Sequence, residues 1–196
     1  LTQMRVNGGN DYINLVNSIL SGKCNQQACL ENYDFKVMSD FNRFNNLQQK
    51  LEDEFTLSRM SAGYAWEWKS KKDKSLYDME LDGVKKQWNY RLENWVLSEG
   101  ADKQVGCIHT IQGFDLNYGF VIMGNEIGYD PESKEIIVRP ENYYDQNGRK
   151  TASKEELLEY IKHIYYVLMT RGIKGTYLYI CDDNLRKYVS SIIGEI

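Results

Sequence analysis

The chain has 196 residues, 42% of them hydrophobic and 27% charged, which supplies one sizeable core inside a charged surface. No apolar run approaches the roughly 20 residues that a membrane span requires, and two prolines with 15 glycines exclude a collagenous or low-complexity chain. Lysine plus arginine total 24 against 28 for aspartate plus glutamate, a net charge of −4, so a uniformly basic nucleic-acid coat is excluded while a local basic patch is not.

The spacing predicts a first helix over about 10–20, capped by Asn10 or Asp11, with Ile13, Val16 and Leu20 on one face and Gly22 ending it. An alternating strand, Asp34-Phe35-Lys36-Val37-Met38, leads to Ser39, which is expected to cap a helix carrying Phe41, Phe44, Leu47 and Leu51 at three- and four-residue steps. Next comes an aromatic and basic stretch from Gly63 through Trp66, Trp68 and Lys69 to Lys72, with Trp88, Tyr90 and Trp95 beyond it. Val105 to His109 and Gly119 to Met123 read as buried strands. Glu135 to Val138 reads as a strand or hairpin arm before a polar loop through Asn147-Gly148. Ser153-x-x-Glu156 is a capping box for a helix with Leu157, Ile161, Ile164 and Leu168 on one face, running to Thr170-Arg171-Gly172. A strand over Thr176 to Ile180 and a helix after Asp182 close the pattern. Strands alternating with amphipathic helices specify one α/β domain with a mostly parallel sheet covered by helices.

Cys24, Cys29, Cys107 and Cys181 have no pattern of a zinc site and read as buried, reduced thiols of a cytoplasmic protein. The chain begins at Leu1 without a basic leader or an apolar targeting core, and reads as a piece of a longer one.

Four groups of residues could carry chemistry. Cys107-Ile108-His109-Thr110-Ile111-Gln112-Gly113-Phe114-Asp115 follows a predicted strand, at the sheet edge where open α/β sheets bind ligands. Thr110, Gln112 and the peptides around Gly113 suit a phosphodiester backbone, although a polar strand-end turn accounts for them equally. Arg171, at the end of a well-specified helix, could stabilise charge on a transferring phosphoryl group or simply complement the helix dipole. Arg5 precedes the first helix. Trp66, Trp68, Lys69, Lys71 and Lys72 could stack and track a single strand, whereas Trp88 and Trp95 are expected in the core. No Gly-x-x-x-x-Gly-Lys-Ser/Thr occurs, and Gly148-Arg149-Lys150-Thr151 lacks its spacing. No metal site is expected. A metal-dependent nuclease would have to use Asp115, Asp130, Glu126 or Asp182, whose spacing does not demand it.

Taken in order, these strings resemble the carboxyl-terminal RecA-like domain of superfamily 1 DNA/RNA helicases, and most closely the bacterial Schlafen-like group. Leu1-Thr2-Gln3-Met4-Arg5 is similar to motif IV, His109 to Asp115 to motif V, and Val167 to Arg171 to motif VI. The resemblance covers nearly the whole chain and is most specific in His-x-x-Gln-Gly and Thr-Arg-Gly. It implies a three-layer RecA-like fold of the P-loop NTPase type over 1–196, with an aromatic and basic insertion at about 63–100.

The resemblance also implies roles. Arg171 becomes the arginine finger for the γ-phosphate of ATP, and Arg5 a second phosphate contact. His109, Gln112, Gly113 and Asp115 lie at the interdomain cleft, coupling nucleotide to strand, and Thr110, Trp66, Trp68 and Lys69 meet the nucleic acid. Asp115 stands where these helicases carry Glu, and Cys107 where motif V begins with Thr. ATP and Mg2+ are implied to sit mainly on an amino-terminal P-loop domain of the same chain, with single-stranded DNA or RNA as the other partner and no membrane. The alternative is a nucleic-acid-binding or interaction module that kept the fold without hydrolysis.

Overall fold

The computed structural model describes residues 5–145 and 152–196. Leu1 to Met4 of the motif IV string, and the Asn147-Gly148 and Gly148-Arg149-Lys150-Thr151 strings, lie outside the described residues. In chain order the elements are α1 (Gly9–Leu20), β1 (Asp34–Val37), α2 (Phe41–Phe55), β2 (Ser58–Ala62), the β3 (Met79–Leu81) and β4 (Val84–Lys86) hairpin, and β5 (Val105–Gly106). They continue with α3 (Ile108–Ile111), β6 (Leu116–Met123), the β7 (Ile127–Asp130) and β8 (Glu135–Val138) hairpin, α4 (Lys154–Met169), β9 (Gly172–Ile180) and α5 (Asp183–Ile193).

The main sheet has five strands in the order β1-β9-β6-β2-β5, all paired in parallel. Side chains alternate between its faces, as the two-residue period of a strand requires. Leu116, Val121, Met123, Leu178 and Ile180 pack under α1, α4 and α5. Tyr118, Phe120, Ile122, Tyr177 and Tyr179 pack with Phe41, Phe44 and Leu51 of α2. The result is three layers, helices over both faces of a parallel sheet. Because every strand runs the same way, the sheet has two chemically different edges. Asp34, Ser58, Leu116 and Gly172 begin strands at one, and Ala62, Gly106, Met123 and Ile180 end strands at the other.

Several local expectations change. α1 begins at Gly9 after Gly8, with no side-chain cap, so neither Asn10 nor Asp11 caps it. Asp40, not Ser39, caps α2, its Oδ1 accepting the Arg43 N–H at 3.0 Å. The strand predicted over Val105 to His109 stops at Gly106, and Cys107 turns the chain into the one-turn α3. β9 starts four residues earlier than read, directly after Arg171. Trp88 and Trp95 are buried, as expected. All four cysteines are free, but Cys29 is exposed and Cys24 and Cys181 only half-buried, leaving Cys107 as the buried thiol. Among the described residues no helix is long and apolar enough to cross a membrane.

Candidate functional site

The strand-ending edge holds a cavity of about 940 Å³. β2 delivers Tyr64, Trp66 and Trp68 to it just beyond Ala62, and β5 delivers Cys107 and His109 just beyond Gly106. Trp88, Tyr144 and Tyr160 complete the aromatic wall. The rings meet at angles, with Tyr64 and Trp66 centred 6.3 and 6.5 Å from Trp88 and Tyr64 at 6.3 Å from His109. Lys71 Nζ stands 5.4 Å over the Trp68 ring. Flat apolar faces are what unstacked bases recognise, and Glu67 and Asp145 line the same space with Lys71. Lys69, expected here, is exposed and outside the cavity wall.

Beneath this wall Glu126 is buried with its carboxyl inside the protein. Tyr165 donates its hydroxyl to Glu126 Oε1 and accepts the Gly124 N–H at 3.1 Å, while Oε2 has no partner among the described residues. Gly63 and Gly124 make room, since a Cβ at either would collide with the carboxylate. Burial pushes the Glu126 carboxyl up from 4.5 to about 7, against the Tyr165 hydrogen bond.

The opposite, strand-beginning edge holds the arginines. Arg5 Nε lies 2.9 Å from Asp115 Oδ1. Arg171 is half-buried, its Nε donating to the Val167 carbonyl at 3.0 Å, with no carboxylate at salt-bridge distance among the described residues. Burial, then the positive charge of Arg5, lowers its pKa, and Asp115 opposes them. The backbone ties the group together, Leu116 N–H to the Arg171 carbonyl at 2.9 Å and Asn7 N–H to the Ile173 carbonyl at 2.9 Å.

The 107–115 segment is therefore divided between the two edges. His109 lines the aromatic cavity, Asp115 joins the arginines, and α3 spans the interval. Thr110 is 1% exposed. Its hydroxyl accepts the Cys107 N–H and donates to the Cys107 carbonyl, both at 3.0 Å. It thus caps its own turn. Gln112 and Gly113 are exposed at the turn out of α3, and Gly113 has φ +91 with open space around it. That glycine serves the turn itself.

The carboxylates of a nuclease are not brought together. Asp115 faces Arg5. Asp130 holds its hairpin turn through the Glu132 N–H and the Ser133 hydroxyl, and Asp182 pairs with Arg139 at 2.7 Å and caps α5. Among the described residues no group of three or more His, Cys, Asp or Glu could hold a metal ion. Tyr144 and Tyr160 are cavity residues that sequence reasoning missed. The available signals were two adjacent tyrosines in a polar loop and a tyrosine off the apolar stripe of α4.

Comparison with known proteins agrees with the helicase resemblance at the level of the family. An uncharacterized protein of Saccharomyces cerevisiae is 34% identical over 168 residues, covering 81% of this chain. The chain spans only 37% of that relative's length. No solved structure matches significantly. The family model described as "Schlafen group 3, DNA/RNA helicase domain" matches residues 1–182. The chain belongs to that family.

Proposed function

We propose that this chain is the second motor domain of an ATP-dependent DNA or RNA helicase or translocase. One observation carries the reading. Arg5, Asp115 and Arg171 come from three distant segments, and the fold assembles them on one edge, with the other end of the 107–115 segment in the aromatic cavity. A half-buried guanidinium without a carboxylate partner fits a polyanion such as a triphosphate, because burial strengthens its attraction to negative charge. ATP supplies the phosphoanhydride whose cleavage drives movement. This chain's part is to present Arg171 to the γ-phosphate, with Arg5 behind it and Asp115 positioning Arg5. ATP and Mg2+ would sit mainly on an amino-terminal P-loop domain of the same chain. Trp66 and Trp68 would stack bases of a single strand.

Arg171→Ala in the full-length protein should lower nucleic-acid-stimulated ATP turnover by about 10³-fold or more while ATP binding persists. Unchanged turnover overturns the assignment. The Arg5–Asp115 pair favours one other reading, a binding module without hydrolysis, because a carboxylate already satisfies that arginine. Strand binding that Trp66→Ala weakens, in a full-length protein with no ATP turnover, would establish it.

A further inference from the structure

The segment after the β3–β4 hairpin separates two concavities. Trp88 and Asn89 face the aromatic cavity, whereas Gln87 and Tyr90 line a second groove of about 430 Å³. Lys85, Lys86 and Lys103 also line this groove, with Tyr77, and no carboxylate does. That lining runs against the net charge of −4 for the chain. Acids stand outside it: Glu80 is 3.9 Å from Lys85 Nζ, and burial lowers the Lys86 pKa while the charge of Asp102 opposes that shift.

Lys86 is 9% exposed, and its ammonium finds one carbonyl, that of Lys103, at 3.5 Å. This is the outer limit of a hydrogen bond, so a largely desolvated cation retains donors for an anion. Tyr77 and Tyr90 are 53% and 49% exposed, among the largest exposed apolar side chains of the molecule. Tyr90 is nevertheless held in place. Its hydroxyl donates to Gln87 Oε1 at 2.5 Å, Lys74 Nζ lies 4.5 Å over its ring, and Gln87 Nε2 donates to the Lys74 and Leu76 carbonyls. A fixed, exposed ring among cations combines the two elements of single-strand recognition, a stacking platform and a charge track.

We propose that this groove is a second binding site, for the sugar-phosphate backbone of a single-stranded nucleic acid. Lys85, Lys86 and Lys103 meet phosphates, and Tyr90 and Tyr77 take stacked bases. The groove shares the 87–90 wall with the aromatic cavity, so a strand with a base against Trp66 continues along the lysines. The proposal extends the strand-binding part of the reading above and requires no ATP turnover.

Fluorescence anisotropy of the 196-residue chain with labelled oligothymidylate and oligouridylate, over a salt series, tests it, and the two probes tell DNA from RNA. For single strands the log–log salt slope falls by about 0.7 for each phosphate that a lysine no longer neutralises. Lys85→Glu with Lys103→Glu should therefore flatten the slope by about 1.4 and raise Kd by about tenfold or more at low salt. Tyr90→Ala should weaken binding with the slope unchanged. A control with the same charge change, Lys23→Glu with Lys187→Glu, should leave the slope near wild type. Wild-type slope in the groove variant, an equally flattened slope in the control, or no binding by the wild-type chain overturns the site. Weakened binding on Trp66→Ala with full binding by the groove variant removes the groove and leaves strand binding at the cavity intact.

Discussion

Glu126→Gln should remove a large pH dependence of stability. Folding takes a carboxyl with an ordinary pKa of 4.5 and pushes it up to about 7 by burial. The folded protein therefore binds this proton more tightly than the unfolded chain. The associated stability is fully present below pH 4.5 and is lost as pH rises through about 7. At ~1.4 kcal/mol per pH unit separating the two values, ionisation costs the folded state about 3 kcal/mol above pH 7. Glutamine has the shape of the protonated form and can still accept from Tyr165, so it should avoid that cost. Urea denaturation of both proteins at several points between pH 5 and 8 measures the difference, with other titrating groups common to both. The variant should gain on wild type as pH rises, with the gain levelling off above about 7. Tyr165→Phe is the second arm. It removes the hydroxyl that favours the carboxylate, so it should move the transition to higher pH and cost about 1–3 kcal/mol for the partners left unpaired. A constant difference between wild type and Glu126→Gln across this range would refute the argument.

Two glycines should respond differently to alanine. At Gly172 a Cβ would run into the Gly175 carbonyl and stand 2.9 Å from the Gly119 nitrogen, so the paired backbones of β9 and β6 would have to shift, costing about 1–3 kcal/mol or more. At Gly113 nothing lies within 4 Å but φ is +91, so the cost is conformational alone, about 1–2 kcal/mol. Denaturant midpoints at unchanged m-value measure both, and a larger destabilisation at Gly113 than at Gly172 contradicts the assignment of backbone collision to Gly172.

What could be read from the sequence was what local chemistry decides. Both arms of the Ser153–Glu156 capping box are formed, at 2.8 and 3.2 Å, and Leu157, Ile161, Ile164 and Leu168 are all buried. Short apolar runs separated by amphipathic helices became the buried parallel strands β6 and β9, because a sheet covered on both faces admits such runs. Ser39 and Asp40 are both competent to cap α2, and Asp40 has the geometry. The aromatic cavity was only half legible. Trp66 and Trp68 announce themselves, but Tyr144 and Tyr160 reach the same space through tertiary folding, which no local pattern encodes. Lys71 rather than Lys69 lies on the Trp68 ring, within a turn whose backbone bonds back to the Lys69 carbonyl.

The deepest difference concerns how near residues are. His109 and Asp115 are neighbours in sequence and lie on opposite edges of the sheet, whereas Arg5 and Arg171 are near opposite ends of the chain and share an edge. A string of residues read as one motif is thus a connector with two ends. One end is anchored by the Cys107–Thr110 hydrogen bonds and by Ile108 and Ile111 in the core. The other is anchored by Leu116 in the core and by its N–H on the Arg171 carbonyl. Between the anchors, Gln112 and Gly113 are exposed, and Gly113 adopts a backbone conformation that an L side chain resists.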